Sequence, residues 1–226
     1  MSNSPAFASE KHDMTNDTFN FNANDRANPA YYDPSQTAFL LLDFHTMFVH
    51  HSEPSASLAV AVAAKFKTWA ESRGILVIHA LIDTTKSPFP TCKDATRYST
   101  IMSVMESSNT AIEPAELLGD GQEGNLTFTR QAGHISALKS PGLMQLLAEK
   151  GIKSLVLAGL STAGCVLRTA LQATDEEFVV TVIKDGCADA KEGLHDMLMD
   201  NILNGRGYIV TADCFQKRYE ETRNLR

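Results

Sequence analysis

Cys165 occupies the position in this chain that is best placed for nucleophilic chemistry. It lies in GLSTAGCV, which follows an apolar run over residues 154–159 that is typical of a buried strand. A tight turn and then a helix starting near Ala163 are predicted, with Cys165 in the first helical turn. Free backbone N–H groups and the helix dipole favour a thiolate there, and the same groups can hold an oxyanion. A buried structural cysteine is the alternative.

Asp43 is the candidate base for that thiol. It ends the apolar run TAFLLLD, residues 37–43, which predicts a strand buried on both faces. A carboxylate at the edge of a dry core suits a general base. The alternative is an aspartate that caps the loop after the strand.

Strand and helix patterns alternate along the chain and position these two residues. Strands are predicted over residues 37–43, 75–82, 126–129, 154–159, 178–185 and 208–211, and helices over residues 57–72, 143–150, 162–174 and 192–204. This alternation predicts an α/β fold, a single three-layer α/β/α sandwich with a mostly parallel sheet of about six strands. Ligands bind such sheets at the carboxyl ends of the strands. Asp43, residues 130–134 and residues 159–165 are therefore expected to meet there.

Composition and charge limit the partners. The chain has 226 residues, of which 43% are hydrophobic and 21% charged, and its net charge is -7. These values suit one globular domain. An acidic chain without a dense Lys/Arg cluster disfavours nucleic acid and anionic membranes as partners. No apolar run reaches the roughly 18 residues that a membrane-spanning helix needs.

The N-terminal residues differ from the rest. Residues 1–36 form a polar arm, expected either to be disordered or to pack on its own domain or a neighbouring subunit. Its candidate anchors are aromatic: Phe19, Phe21, Tyr31 and Tyr32. Residues 1–24 lack the pattern of a secretory signal. The four cysteines form no CxxC pair, so free thiols and a cytoplasmic location are expected.

Two segments together resemble the isochorismatase-like cysteine hydrolases, which include nicotinamidases, carbamoylsarcosine amidases and isochorismatases. Residues 155–189 match the pattern of a strand, Gly-x-x-Thr-x-x-Cys-Val, Thr-Ala, a small-residue helix, a strand and the turn DGCAD. Residues 38–48, AFLLLDFHTMF, match the family's first strand and catalytic aspartate. The resemblance covers residues 37–213 and makes residues 37–226 the hydrolase domain.

The resemblance implies a catalytic triad of Asp, Lys and Cys, with Asp43 and Cys165 in two of the places. Asp43 would remove the thiol proton, and the thiolate would attack an amide carbonyl. The backbone N–H groups of Ser161 and Cys165 would hold the oxyanion, next to a cis peptide bond between Leu160 and Ser161. The implied activity is hydrolysis of a C–N bond in a small amide or carbamoyl compound, through a cysteine thioester.

The third triad position departs from the family pattern. In LTFTRQAGHISALKSPGL, residues 126–143, Ser136-Ala137-Leu138 aligns with the family's Ser-Ala-Phe segment and places Arg130 where the lysine stands. An arginine can hold Asp43 and a thiolate by charge, but it does not readily give up a proton because its pKa exceeds about 12. A purely structural ion pair with Asp43 is the alternative. His134 is expected to line the pocket near Arg130.

No metal or other cofactor is expected. The Asp-x-His motif of metal-dependent nicotinamidases would fall within residues 79–90, where Asp83 has no histidine two positions later. His45, His50 and His51 cluster after the first strand, and a solvated loop is favoured there over a zinc site.

Oligomeric state and two alternative functions stay open. The resemblance implies a homo-oligomer, a dimer or tetramer, with residues 84–107 as the candidate contact beside the pocket. One alternative function is vinyl ether hydrolysis, as in isochorismatases, which does not need the thiol. The other is a catalytically silent member of the fold, which Arg130 favours and the complete cysteine motif disfavours.

Overall fold

Six parallel strands form the central layer of the computed structural model, which describes residues 21–119 and 126–224. Their order across the sheet is β3-β2-β1-β4-β5-β6. They are β1 (Thr37–Leu42), β2 (Leu76–Asp83), β3 (Thr127–Gln131), β4 (Ser154–Leu160), β5 (Val179–Ala188) and β6 (Tyr208–Val210). The chain starts in the middle, runs to one edge and returns to build the other half. The strand order therefore reverses between β1 and β4, where ligands bind in sheets of this type.

Helices cover both faces of the sheet. The described residues form α1 (Thr46–His51), α2 (Ser55–Ser72), α3 (Ala95–Ser107), α4 (Ala115–Leu118), α5 (Leu143–Glu149), α6 (Leu167–Asp175), α7 (Leu194–Asn201) and α8 (Ala212–Asn224). One core layer lies between the sheet and α2 and α8, and the other between the sheet and α5, α6 and α7. The predicted three-layer α/β/α class is confirmed. None of the helices in the described ranges is both long and apolar enough to cross a membrane.

The two central strands approach each other closely at their carboxyl ends. All six residues of β1 are fully buried, as its continuous apolar run predicts. In the parallel register Leu42 lies opposite Gly159 of β4. A Cβ atom on Gly159 would lie 2.4 Å from the Leu42 carbonyl oxygen, so only glycine fits there. This contact fixes the relative height of the two strand ends that carry Asp43 and Leu160.

Four helices, α1, α3, α4 and α8, lie where the sequence predicts none, and α3 and α8 are the long ones, with 13 residues each. Helix α3 begins at Ala95, within residues 84–107, expected only as a candidate subunit contact, and its residues Met102 and Met105 are buried. Helix α8 packs through Phe215 and Tyr219 against the core beside α2. Each helix presents few apolar side chains, so its hydrophobic period is weak in the sequence.

The second half of the N-terminal arm packs on its own domain. The Phe21 ring meets Phe215 edge to face, with centroids 5.4 Å apart. The Tyr208 hydroxyl donates to the carbonyl of Ala27 at 2.8 Å, and Arg223 pairs with Asp33 at 2.5 Å. Residues 1–20, which include the candidate anchor Phe19, lie outside the described residues.

Candidate active site

Asp43 and Arg130 form a buried ion pair at the carboxyl end of the sheet. Asp43 follows β1 with a left-handed backbone, φ 51°, and its N–H donates to the Ala80 carbonyl at 3.0 Å. Arg130 belongs to β3, not to the loop after it as predicted. Its Nη1 and Nη2 donate to Oδ1 and Oδ2 of Asp43 at 2.9 and 2.5 Å. Only 1% of the Arg130 side chain and 4% of the Asp43 side chain are exposed.

The loop after β3 supplies two further hydrogen-bond acceptors for the Arg130 guanidinium. Nε donates to the His134 carbonyl and Nη2 to the Ile135 carbonyl, each at 3.0 Å. Burial lowers the pKa of Arg130, but the Asp43 carboxylate raises it more, so the net shift is upward. The guanidinium therefore stays cationic and held by four hydrogen bonds. It supplies charge and position, not a mobile proton.

Cys165 lies beside this pair in the turn between β4 and α6. Its Sγ donates to the Leu160 carbonyl at 3.1 Å, and the residue is 3% exposed. Burial, followed by the charge of Asp43, raises the pKa of the Cys165 thiol well above its usual value, and Arg130 opposes that shift. The resting group is therefore a thiol, whereas the sequence predicts a stabilised thiolate.

The local backbone explains this difference. Residues Thr162–Val166 form a wide helical turn broken at Gly164, whose φ of -93° and ψ of -112° are not helical. The regular helix α6 begins only at Leu167, after Cys165. Cys165 therefore does not lie in the first turn of a regular helix as predicted, and the expected dipole effect is outweighed by burial.

Two neighbouring elements hold the cysteine turn. Asp189, at the end of β5, accepts the Ala163 N–H at 2.9 Å through Oδ2. Thr162 Oγ1 and His195 Nδ1 share a hydrogen bond of 2.8 Å, and burial lowers the pKa of His195. The Leu160–Ser161 peptide bond at the start of the turn is cis. The position of Cys165 therefore depends on β5 and α7 as well as on β4.

One cavity of about 920 Å³ unites the predicted site residues. Its walls include all six of them: Asp43, Arg130, His134, Leu160, Ser161 and Cys165. Helix α3 contributes Arg97, Tyr98 and Ile101 to the wall of the same cavity. Sequence reasoning did not assign Arg97 because helix α3 itself was not predicted. The two backbone carbonyls that bind Arg130 leave no signal in the side-chain pattern.

The three histidines after β1 have separate surroundings. His45 is buried, accepts the Ile82 N–H at 3.2 Å through Nε2 and contacts the Ala111 carbonyl at 2.5 Å through Nδ1. Its two ring nitrogens thus link strand β2 to the segment that contains Ala111. His50 and His51 are exposed on α1 and line the cavity. Within residues 21–119 and 126–224, no three His, Cys, Asp or Glu side chains are grouped to hold a metal ion.

Comparison with known proteins identifies the class. Residues 37–214 match the isochorismatase domain, and the chain belongs to the isochorismatase family of hydrolases. Maleamate amidohydrolase from Pseudomonas putida KT2440 is 27% identical over 192 residues, which are 83% of this chain and 87% of that protein. The family resemblance drawn from the two sequence segments is thereby confirmed.

Solved structures show the same fold at low sequence identity. A cysteine hydrolase from Pseudomonas syringae pv. phaseolicola 1448A superposes with a TM-score of 0.69 and 16% identity, over 84% of this chain and 95% of that one. N-carbamoylsarcosine amidase from Thermoplasma acidophilum superposes with a TM-score of 0.61 and 18% identity, over 79% of this chain and 97% of that one.

Proposed function

We propose that this protein is a cysteine amidohydrolase that cleaves a C–N bond of a small amide or carbamoyl compound through a thioester on Cys165. The observation that carries the proposal is the convergence of Cys165, Asp43 and Arg130 on one cavity. The charge of the Asp43 carboxylate raises the pKa of the Cys165 thiol, so the two groups interact electrostatically across this cavity. The amidohydrolase relative supports the same reaction class.

The reaction starts from the neutral thiol. As sulfur attacks the carbonyl carbon, the thiol proton passes to Asp43, and the backbone N–H groups of Ser161 and Cys165 stabilise the oxyanion. The C–N bond then breaks, and Asp43 gives the proton to the leaving nitrogen, which departs as ammonia or an amine. Water attacks the thioester and passes one proton to Asp43, which returns it to sulfur.

Arg130 acts in this scheme without giving up a proton. Each oxygen of Asp43 that accepts a bond from Arg130 keeps a second lone pair, so the carboxylate can still take the thiol proton. The cation stabilises Asp43 as a carboxylate before the reaction and opposes the rise in the pKa of Cys165. Asp43 therefore does the proton transfer alone.

Ammonia release from a panel of small amides tests the proposal. The panel contains maleamate, N-carbamoylsarcosine, nicotinamide and simple aliphatic amides. We expect turnover of at least one compound, loss of that turnover in Cys165→Ala and Asp43→Asn, and a mass increase on Cys165 when the reaction is quenched early. Release of ammonia by Cys165→Ala at the wild-type rate would refute the thioester route.

A catalytically silent binding protein is the second candidate. It is favoured by the double hydrogen bond with which Arg130 occupies both oxygens of Asp43. In that case no amide in the panel is turned over and no acyl adduct forms on Cys165. Isochorismatase-type vinyl ether hydrolysis is distinguished by its independence of the thiol, since Cys165→Ala would retain it.

A further inference from the structure

Two carboxylates and two guanidinium groups line the cavity, and three of these four groups have partners within the protein. Asp43 is neutralised by Arg130. The other carboxylate in the wall, Asp189, accepts the backbone N–H groups of Ala163 and Lys191 at 2.9 and 3.1 Å, one on each oxygen. Both of its oxygens therefore already accept a hydrogen bond from the backbone. The remaining charged side chain in the wall is the guanidinium of Arg97.

The side chain of Arg97 is exposed and forms no hydrogen bond or ion pair with any residue in the described part of the chain. Ile101, one helical turn later, lines the same cavity, so this face of α3 is directed towards it. Met102 and Met105 anchor α3 in a buried cluster with Ala132, against which Ile101 also packs. The helix is therefore fixed against the loop that follows β3, and Arg97 is held at the cavity.

We propose that Arg97 binds a carboxylate of the substrate, so that the substrate is a small amide carrying a carboxylate at its other end. This inference rests on the proposed amidohydrolase function and adds the substrate class. A guanidinium binds a carboxylate through two parallel charge-assisted hydrogen bonds. The neighbouring wall residues His50, His51 and His134 add no negative charge. The amide end then faces Cys165, and the anionic end faces α3.

Matched pairs of anionic and neutral substrates test this assignment. The half-amides oxamate, succinamate and maleamate are compared with their neutral diamides, by kcat and KM for ammonia release. We expect the wild type to prefer the half-amide in the pair that it uses best. Arg97→Gln should lower kcat/KM for that half-amide by about 10- to 100-fold, mainly through KM, and leave the diamide unchanged.

Two further variants serve as controls for Arg97→Gln. Arg97→Lys keeps the charge but loses the planar fork, so it should recover part of the preference. Arg206→Gln makes the same change of charge at an exposed arginine outside the cavity and should leave both substrates unchanged. Equal effects of Arg97→Gln on the half-amide and the diamide would overturn the inference while leaving the amidohydrolase proposal intact.

If no amide is hydrolysed, a ligand-binding measurement still tests the role of Arg97. That result would count against the proposed function, and calorimetric titration of succinamate and succinamide would then test the carboxylate site alone. Weaker succinamate binding in Arg97→Gln than in the wild type, with succinamide unaffected, would support it. No difference between the wild type and Arg97→Gln for succinamate would overturn it.

Discussion

Arg130 binds Asp43 from across an intervening strand. Asp43 follows β1 and Arg130 belongs to β3, with β2 between them, yet two hydrogen bonds of 2.9 and 2.5 Å join their side chains. An arginine side chain is long enough to cross the neighbouring strand β2, and its planar fork matches both carboxylate oxygens. The ion pair therefore links β1 to β3 across β2. It also places a positive charge directly on Asp43, the proposed base.

A double-mutant cycle measures the stability of this pair. Arg130→Met should destabilise the protein by about 3–5 kcal/mol, because it leaves the Asp43 carboxylate buried without its partner. Adding Asp43→Asn should recover part of that loss, since asparagine is neutral and tolerates the positive φ at this position. Urea unfolding of the wild type, both single variants and the double variant gives the coupling energy. Additive losses would show that the pair is not coupled.

Alkylation of Cys165 should be slow at neutral pH. Burial and the Asp43 carboxylate raise the pKa of its thiol, so the reactive thiolate should form with a midpoint above the roughly 8.5 of a free cysteine. Iodoacetamide labelling against pH, followed by peptide mass spectrometry with glutathione as the reference thiol, measures that midpoint. Asp43→Asn should move it to lower pH. A wild-type midpoint near pH 6 would contradict the protonated resting state.

Cys187 should make the fold less stable in alkaline solution. Burial raises the pKa of this thiol from 9.0 to about 12, so the folded state holds a proton that the unfolded chain releases. Its contribution to stability is complete below pH 9.0 and is lost as the pH rises towards about 12, at up to about 1.4 kcal/mol per pH unit.

The Cys187→Ala variant isolates that contribution. The difference in the free energy of unfolding between the wild type and this variant should be constant below pH 9.0 and should change in favour of the variant above it. Urea unfolding at several pH values measures the difference and removes the effect of other groups that titrate in the same range. A difference that stays constant to pH 11 would disprove the assignment.

Gly159→Ala should disturb both stability and the site. The added Cβ would lie 2.4 Å from the Leu42 carbonyl oxygen and 2.5 Å from its Cβ, so β1 and β4 must move apart. We expect a loss of about 1–3 kcal/mol from overpacking, together with reduced ammonia release, because Asp43 and Leu160 follow directly. Gly205→Ala, with no atom within 4 Å of its new Cβ, is the control and should be nearly neutral.

The buried strands could be predicted closely from the chain alone. The continuous apolar run at residues 37–43 became β1, Thr37–Leu42, and the run at residues 75–82 became β2, Leu76–Asp83. A parallel strand covered on both faces needs apolar residues at almost every position, so its signal is strong. Helices α3 and α8 were missed because they bury only a few side chains each, and their helical state depends on the surfaces they meet.

The amino-acid order also determined which side chains would gather at the sheet edge. Asp43, Arg130 and Cys165 each follow or end an apolar strand pattern, and parallel strands bring their carboxyl ends together. Their contacts were decided by the tertiary structure. The two hydrogen bonds from Arg130, the thiol state of Cys165 and the place of Arg97 in the cavity wall all depend on burial and distance between segments far apart in the chain. A linear pattern carries no measure of either quantity.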